Sequence, residues 1–264
     1  MRTTRVATIF ITGLIVGAIA VGGAVAAKYT TGGDTEVTSI KLTGMGLPNL
    51  GGTTTYGVAE LPAAIRSYHD SGQYDSDLAT VNKHAQRSLG NQLRRLGEAD
   101  GPGRYNECNN NGKKCKEVKP AIVFDIDETS LSNYAGLDAA NFSQTGVVPG
   151  AAAGNDPAIT QTRDLYDFAV SNGVKPFFIT GRPEVLQSVA QSNLEQVGYD
   201  DGFTLITKPP DAGTTIAYKS GARAEIEEQE GYKILINIGD QDSDLAGGHA
   251  VRAFKLPNPM YFIP

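Results

Sequence analysis

The strongest constraint on the fold is a series of short apolar runs in the second half of the chain, separated by segments with helical signals. Runs of four or five residues without alternating polarity are typical of strands buried on both faces. Helical segments between such strands are typical of a parallel sheet covered by helices on both faces. The sequence therefore predicts an α/β fold of this kind. We expect strands at residues 121–124, 176–179, 203–206, 234–238 and 252–256.

The segments between these runs contain signals for helix starts and ends. The Asn-Asp-Pro triplet at 155–157 is typical of a cap with proline at the first helical position, and it predicts a helix that runs to Ser171. Pro183 predicts the start of a second helix, which ends at Gly198. A third, charged helix is expected over residues 216–230.

The N-terminus has the features of a targeting segment. A basic start, an uncharged stretch and a small-residue ending fit an export signal over residues 1–27. The competing interpretation is an uncleaved membrane anchor formed by residues 6–27, because a segment of this length can just span a bilayer. Both interpretations place the rest of the chain outside the cytoplasm, secreted or in the cell envelope or periplasm. An oxidising compartment favours a disulfide between Cys108 and Cys115, and two reduced cysteines are the alternative.

The remainder is expected to form an arm and one domain. Residues 28–58 are rich in Gly and Thr without periodicity, which indicates an extended arm or linker. A helical stripe of apolar residues follows, so we assign the helical part of the domain to residues 59–117. The catalytic core is assigned to residues 118–264. Within it, the small and polar residues 130–154 form either a flap over the site or an ordinary surface loop.

Composition excludes several classes of function. The chain carries 23 Lys and Arg against 29 Asp and Glu, a formal net charge of −6, so binding to a nucleic-acid polymer is not expected. Three scattered histidines and two cysteines do not supply a four-ligand zinc site of the usual spacing. A metal bound by this chain is therefore expected to be a hard cation held by carboxylates.

Acidic, basic and hydroxyl side chains follow the predicted strands at the points where they end. Ligands of open parallel sheets bind beyond the carboxyl ends of the strands. Alternate residues of an extended segment point the same way, so Asp125 and Asp127 are expected to face that crevice together. We expect side chains from the later strand ends and from one helix to converge with them: Thr180, Lys219, Asp240 and Asp244.

This set of residues suits the transfer of a phosphoryl group to a carboxylate. Asp125 is expected to attack phosphorus, and Mg2+ between the two acidic clusters would cancel the repulsion between the nucleophile and the phosphate. Thr180 and Lys219 would hold the equatorial oxygens as their charge grows. Asp127 would protonate the leaving alcohol and later take a proton from the attacking water.

The same residues resemble the four ordered motifs of haloacid dehalogenase-like phosphatases. These motifs are DxDxT from Asp125, then Thr180, then Lys219, then GDxxxD ending at Asp244. More narrowly, VFDIDETSLSN, FFITGR, YKSxxR, GDQxSDL and the tail FKLPNPMY resemble the acid phosphatase branch, subfamily IIIB, of class B and class C type. That branch also contains plant vegetative storage proteins. The resemblance covers about residues 60–264.

The resemblance implies a Rossmann-like sheet with extra helices that cap the site. It implies Asp125 as the nucleophile and Mg2+ bound by Asp125, the backbone carbonyl of Asp127 and Asp240. Asp244 would act through water or by orienting Lys219. We therefore expect an exported, Mg2+-dependent acid phosphatase that hydrolyses small phosphomonoesters and is favoured below neutral pH.

Some alternatives stay open at the level of the sequence. A non-catalytic storage or binding protein that kept the scaffold is one of them, although the intact motif residues argue against it. Lys208 also follows a strand and competes with Lys219. Thr180 has the position of a cap for the next helix, and Asp244 that of an acid at a helix start. Two arginines are expected either to support the site residues from behind or to form structural ion pairs: Arg182 and Arg223.

Overall fold

The structure, a computed structural model, describes most of the predicted domain and two short parts of the predicted arm. Within the arm, strands β1 (Ser39–Lys41) and β2 (Thr55–Gly57) pair antiparallel, where the sequence indicated no regular structure. The predicted signal or anchor, residues 1–27, lies outside the described residues. The described residues are 39–41, 55–57, 61–97, 103–109, 112, 114–200 and 202–262.

One six-stranded sheet runs through the domain. Its strands are β3 (Tyr105–Cys108), β4 (Cys115–Phe124), β5 (Lys175–Pro183), β6 (Thr204–Lys208), β7 (Tyr232–Gly239) and β8 (Arg252–Lys255). Five of them run parallel in the order β6-β5-β4-β7-β8, and β3 pairs antiparallel with the start of β4. Because β4 lies between β5 and β7, the carboxyl ends of these three strands meet side by side.

Helices cover both faces of the sheet, so the predicted fold class is confirmed. They are α1 (Leu61–Asp70), α2 (Gln73–Leu96), α3 (Tyr134–Ala139), α4 (Val147–Ala153), α5 (Thr160–Ser171), α6 (Gln187–Gln196), α7 (Thr215–Glu228) and α8 (Asp242–Leu245). Single turns of 3-10 helix precede α4 and α6. None of the helices in the described ranges has the length and apolar character that crossing a membrane requires.

The central strand β4 supplies two separate hydrophobic cores. Ile122 and Phe124 pack on the side covered by α2, α5 and α6. Ala121 and Val123 pack on the opposite side, against Ile226 of α7. Because successive side chains of a strand point to opposite faces, a strand buried on both faces is apolar at every position. This packing explains the unbroken apolar run.

The N-terminal helical segment forms over Leu61–Asp70 and Gln73–Leu96, whereas the later part of the predicted range 59–117 contains β3 and the start of β4. Helices α1 and α2 are separated at Gly72, whose left-handed backbone (φ 77°) allows the break. The apolar stripe of α2, which includes Leu78 and Leu89, is buried against the domain. Cys108 and Cys115 form the predicted disulfide, which closes the β3–β4 hairpin. The predicted division between residues 117 and 118 falls inside β4 and stays a prediction.

The predicted start of the helix before β5 is wrong. Helix α5 begins at Thr160, three residues later than the Asn-Asp-Pro triplet indicated. The Asp156 carboxylate does not cap a helix, because it accepts a hydrogen bond from the Arg182 guanidinium (3.0 Å). Ala158 continues the extended chain by pairing with Leu131 in an isolated bridge. Long-range contacts therefore override the local cap signal.

Candidate active site

A cavity of about 280 Å³ lies at the edge of the sheet where β4, β5 and β7 end. Five of the six predicted site residues line it: Asp125, Asp127, Lys219, Asp240 and Asp244. Thr180 does not line the cavity, although its neighbour Gly181 does. Thr180 is fully buried, and its hydroxyl oxygen accepts a hydrogen bond from the Arg182 backbone amide (3.1 Å).

Three buried carboxylates form the centre of this site. Asp125, Asp240 and Asp244 each offer one oxygen, and these oxygens all lie within 4.8 Å of one another. The Lys219 ammonium donates hydrogen bonds to Asp125 and to Asp244, the latter at 2.6 Å. When all three carboxylates are ionised, the Lys219 ammonium balances one of their charges, and two buried negative charges remain. The donor set therefore fits a divalent cation that prefers oxygen ligands.

The pKa values of the residues in this cluster also favour a bound cation. Burial raises the pKa of Asp125 well above its ordinary value, and the charge of Asp244 adds to the rise. Burial and Asp244 together raise the pKa of Asp240 to about 6. Burial alone would lower the pKa of Lys219, but Asp125 and Asp244 outweigh it and keep the pKa above its usual range. The lysine therefore stays charged, while the carboxylates need a further positive charge to ionise together.

Asp240 is held in place by donors from several parts of the chain. Its carboxylate accepts hydrogen bonds from the Thr129 hydroxyl (3.0 Å) and the Asn258 amide (2.7 Å). Gln241 adds a third donor, and Lys255 donates to the Asp240 backbone carbonyl (2.6 Å). Outer partners of this kind fix the orientation of metal ligands. The sequence predicted no role for Asn258 or Lys255, although both lie in the FKLPNPMY tail that forms part of the family resemblance.

The Asp244 carboxylate accepts two hydrogen bonds, one from Lys219 and one within a helix cap. One oxygen accepts the hydrogen bond from Lys219 described above. The other accepts one from the Gln241 backbone amide (2.8 Å), as part of the cap of the short helix α8. Gly239 packs so closely that a β-carbon at its position would lie 2.5 Å from the β-carbon of Asp244. The turn after β7 therefore needs glycine to bring Asp244 into the cluster.

The carboxylate of Asp127 does not join this cluster, so the backbone carbonyl is the part of Asp127 that remains as a predicted metal ligand. The side chain accepts hydrogen bonds from the Arg182 guanidinium (2.7 Å) and the Asn133 amide (3.0 Å). Burial raises the pKa of Asp127, but Arg182 and Asn133 outweigh it and hold the pKa below its ordinary value. Arg182 also pairs with Asp156 (3.0 Å), so the ion pairs expected of this arginine are confirmed.

Arg223 contacts the site residue Asp244 through its backbone carbonyl, which is the supporting role that the sequence offered as the alternative to an ion pair. Its guanidinium donates to the backbone carbonyls of Asp244, Ala246 and Gly248 rather than to a carboxylate. These bonds tie α7, which carries Lys219, to the loop that follows α8.

Glu128 is a buried residue to which the sequence assigned no chemistry. Its backbone is left-handed (φ 55°), an uncommon conformation for a residue other than glycine. Its carboxyl oxygens accept hydrogen bonds from the Asn133 backbone amide (2.5 Å) and the Tyr74 hydroxyl (3.1 Å). Burial raises the pKa of Glu128 to about 8. The contact with Tyr74 joins the loop after β4 to α2, a pairing that local sequence patterns do not reveal.

The segment 130–154 forms helices and is not an ordinary surface loop. Its residues Gln144, Val147, Val148 and Ala151 line the cavity. Leu186, which follows β5, and Lys208, which ends β6, complete the lining on other sides. Of the two lysines that follow from the sequence, Lys219 contacts Asp125, and this contact favours Lys219 over Lys208 as the lysine beside the nucleophile candidate.

Comparison with known proteins identifies the family. The profile of the HAD superfamily, subfamily IIIB (acid phosphatase), matches residues 45–264. The chain belongs to this acid phosphatase family. Membership places it among the phosphoric monoester hydrolases, and both the family and the buried acidic cluster fit a divalent metal.

The relatives of this chain include a stem glycoprotein, an acid phosphatase and a vegetative storage protein. The chain is 41% identical to a stem 28 kDa glycoprotein of Glycine max, with 77% of this chain and 75% of that protein covered. It is 39% identical to acid phosphatase 1 of Solanum lycopersicum, with 53% of this chain and 58% of that protein covered. It is 31% identical to vegetative storage protein 1 of Arabidopsis thaliana, with 77% and 72% covered.

Solved structures support the fold. The class C acid phosphatase of Bacillus anthracis with tungstate bound matches with a TM-score of 0.60 and 21% identity, and the match covers 77% of this chain and 85% of that one. At this level of identity, the match confirms the arrangement of strands and helices.

Replacing Gly239 by alanine is expected to abolish phosphatase activity. The new methyl group must displace the Asp244 side chain, whose β-carbon would lie 2.5 Å away, and so disturb the carboxylate cluster. Gly221→Ala is the control, because it lies in α7 with no atom within 4 Å of the added carbon. We expect the control to keep full activity and gain about 0.5–1 kcal/mol of stability. Equal activity of the two variants contradicts the close approach at Gly239.

Arg182→Met is expected to lower the free energy of unfolding at pH 7 by about 3 kcal/mol, because the buried carboxylate of Asp156 and the half-buried one of Asp127 lose their buried partner. Asp127 has a lowered pKa in the folded protein, so its contribution to stability is present above its unfolded pKa and is lost as the pH falls through the folded value. The deficit of the variant should therefore shrink below about pH 4. Denaturant unfolding at several pH values measures this dependence.

Arg104→Met is the control for that experiment. Arg104 pairs with Glu117, and both side chains are 56% exposed. Exposed ion pairs contribute about 1 kcal/mol or less, so a small and nearly pH-independent loss is expected. A loss at Arg182 as small as that at Arg104 contradicts the buried ion-pair network.

Proposed function

We propose that this chain is an exported, Mg2+-dependent acid phosphatase that hydrolyses small phosphomonoesters through an aspartyl-phosphate at Asp125. The observation that carries the proposal is the buried cluster of Asp125, Asp240 and Asp244 around Lys219, at the strand ends of an acid phosphatase family member. The family supports the reaction class, and the cluster supports the choice of residues.

The metal ligands in this proposal are Asp125, Asp240 and the backbone carbonyl of Asp127. Asp244 contributes through water or by orienting Lys219, a role that the 2.6 Å contact between them supports. When bound, Mg2+ would supply the positive charge that lets the nucleophile and a phosphate dianion approach each other. The two uncompensated negative charges of the cluster support a divalent ion.

Asp125 acts as the nucleophile. Lys219 holds one carboxylate oxygen of Asp125, which leaves the second oxygen for attack on phosphorus. A bond forms between that oxygen and phosphorus as the bond to the leaving alcohol breaks. Water then attacks phosphorus, the bond to Asp125 breaks, and inorganic phosphate is released.

Asp127 serves as acid and then as base in these two steps. It donates a proton to the leaving alcohol and later accepts one from the attacking water. Although burial opposes the effect, Arg182 and Asn133 hold the pKa of Asp127 below its ordinary value, which favours the ionised form that accepts a proton from the attacking water. The proposed preference for a pH below neutral is supported by membership of the acid phosphatase family.

Thr180 and Lys219 hold the phosphoryl oxygens. The Thr180 hydroxyl lies buried next to Gly181 of the cavity lining and accepts a hydrogen bond from the Arg182 amide, so in this role it would donate its own hydrogen to a phosphoryl oxygen. The Lys219 ammonium carries three donors, of which two are used by carboxylates. The third supports the same role.

A storage or binding function is the second candidate. Its support is the 31% identity to vegetative storage protein 1 over 77% of this chain. The presence of all six predicted site residues favours catalysis, because a storage role does not require them. The activity assay below separates the two.

Export is part of the proposal. Its support is the basic and apolar pattern of residues 1–27, together with the disulfide between Cys108 and Cys115. N-terminal sequencing of the protein recovered outside the cytoplasm is expected to give a start at Ala27 or Lys28. A mature protein that still begins at residue 1 contradicts cleavage and favours the anchor.

Asp125→Asn is expected to reduce hydrolysis of p-nitrophenyl phosphate by at least about a thousandfold, because the amide is not a nucleophile. The wild-type protein should lose activity in EDTA, regain it with Mg2+, and bind beryllium trifluoride at Asp125. Asp164→Asn removes an exposed carboxylate outside the cavity and should leave the rate unchanged. Equal turnover by wild type and Asp125→Asn contradicts the mechanism, and an inactive wild type favours the storage function.

Asp240→Asn is expected to weaken Mg2+ binding by about a hundredfold or more, since a ligand is lost. Burial raises the pKa of Asp240 to about 6, so a bound Mg2+ must displace a proton below that pH. The apparent affinity of the wild type should therefore fall by about tenfold per unit as the pH drops below 6. Calorimetric Mg2+ titration of the full chain at several pH values measures both effects.

Asp242→Asn is the matched control, because Asp242 lies two residues away but is exposed. It should bind Mg2+ like the wild type at every pH. Loss of affinity in Asp242→Asn but not in Asp240→Asn would place the metal elsewhere.

A further inference from the structure

We propose that Lys208 is a substrate-binding residue whose ammonium binds an anionic oxygen of the phosphomonoester in the cavity. The inference rests on the proposed phosphatase function and adds a contact that neither the motifs nor the family description assigns.

The other cations of the cavity are already paired with carboxylates. Lys219 contacts Asp125 and Asp244, and the side chain of Lys219 is 4% exposed. Arg182 contacts Asp127 and Asp156, with 3% of its side chain exposed. A phosphomonoester dianion that enters the cavity therefore finds their charge largely compensated. The proposed Mg2+ would balance the two remaining charges of the carboxylate cluster, so a further cation is needed to balance the dianion.

Lys208 is a cation of the cavity lining that has no such partner. No carboxylate oxygen of the described residues lies within 4.0 Å of its ammonium, whereas Lys219 and Arg182 each contact two carboxylates. Lys208 is half-buried, and burial together with the charge of Lys219 lowers its pKa. Placing a second ammonium near Lys219 without a counter-ion costs stability, and a bound anion removes that cost.

The position of Lys208 in the sheet places it in the lining of the active-site cavity. Lys208 ends β6 and pairs with Pro183 at the end of β5. It therefore lies beside the strand that carries Thr180 and Arg182. Much of the remaining cavity lining is apolar, including Val147, Val148 and Leu186, and so offers no competing charge. A substrate with an organic leaving group places its carbon skeleton against that surface and an anionic oxygen at Lys208.

Two oxygens of a substrate have the required chemistry. One is a phosphoryl oxygen, which every phosphomonoester carries. The other belongs to a second anionic group, such as a carboxylate, on the leaving group. The experiment therefore compares phenyl phosphate with carboxyphenyl phosphate, using the full chain and Lys208→Met.

Lys208→Met is expected to lower kcat/KM by about tenfold or more, through KM, because a charge-assisted hydrogen bond is lost. An equal loss on both substrates identifies the phosphoryl oxygen, and a loss confined to carboxyphenyl phosphate identifies the second anion. Lys208→Arg should keep kcat/KM within a few-fold. Lys83→Met, which removes an exposed lysine outside the cavity, should change neither substrate.

Unfolding measurements separate binding from a structural role. Since Lys208 has no carboxylate partner and lies near Lys219, Lys208→Met should be as stable as the wild type or more stable. Unchanged KM for both substrates overturns the proposal, and so does a loss of stability that accounts for the loss of activity.

Binding of inorganic phosphate, measured by calorimetry in the presence of Mg2+, keeps the test independent of turnover. If the wild type binds phosphate but hydrolyses nothing, the proposed function fails while Lys208 can still be tested by the affinity of Lys208→Met. If Lys208→Met then binds phosphate as tightly as the wild type does, and also binds carboxyphenyl phosphate as tightly, the proposed role of Lys208 is wrong.

Discussion

Repulsion among buried carboxylates is the constraint on which the site depends. Asp125, Asp240 and Asp244 crowd their oxygens within 4.8 Å in a place where water does not screen their charges. Lys219 balances one of the three charges, and the rest must be balanced by protonation or by a cation. The raised pKa values of Asp125 and Asp240 reflect this imbalance. In the proposed function, a divalent ion would balance the remaining charge beside Asp125, the residue proposed as the nucleophile.

The fold creates this crowding through strand order. Because β4 lies between β5 and β7, residues far apart in the sequence reach one edge of the sheet. Contacts next to this edge fix the position of each group. Asn258 and Lys255 donate hydrogen bonds to Asp240, and the missing side chain of Gly239 leaves room for Asp244. Arg182 pairs with Asp127 and holds it apart from the cluster. The stability of the domain and the geometry of its site therefore depend on the same buried contacts.

Much of this architecture could be predicted from the sequence. Unbroken apolar runs predict buried parallel strands, and the residues that follow them predict the convergence at the sheet edge. Local sequence patterns did not predict the contacts of side chains that bond to residues distant in the sequence. The sequence predicted Asp156 as a cap, but it binds Arg182, and Glu128 contacts Tyr74 of a helix 54 residues earlier, a contact that no local pattern indicates. Segment 130–154 lacked periodicity because its helices are short, and their role appears only from their place at the cavity.

The central claim is that the carboxylate cluster binds one divalent ion beside the nucleophile. Anomalous diffraction from crystals of the full chain soaked in Mn2+, a substitute for Mg2+, tests it most directly. We expect a single ion at about 2.1–2.2 Å from one oxygen each of Asp125 and Asp240. An ion bound elsewhere, or an empty cluster in which Lys219 alone bridges the carboxylates at saturating Mn2+, would contradict it.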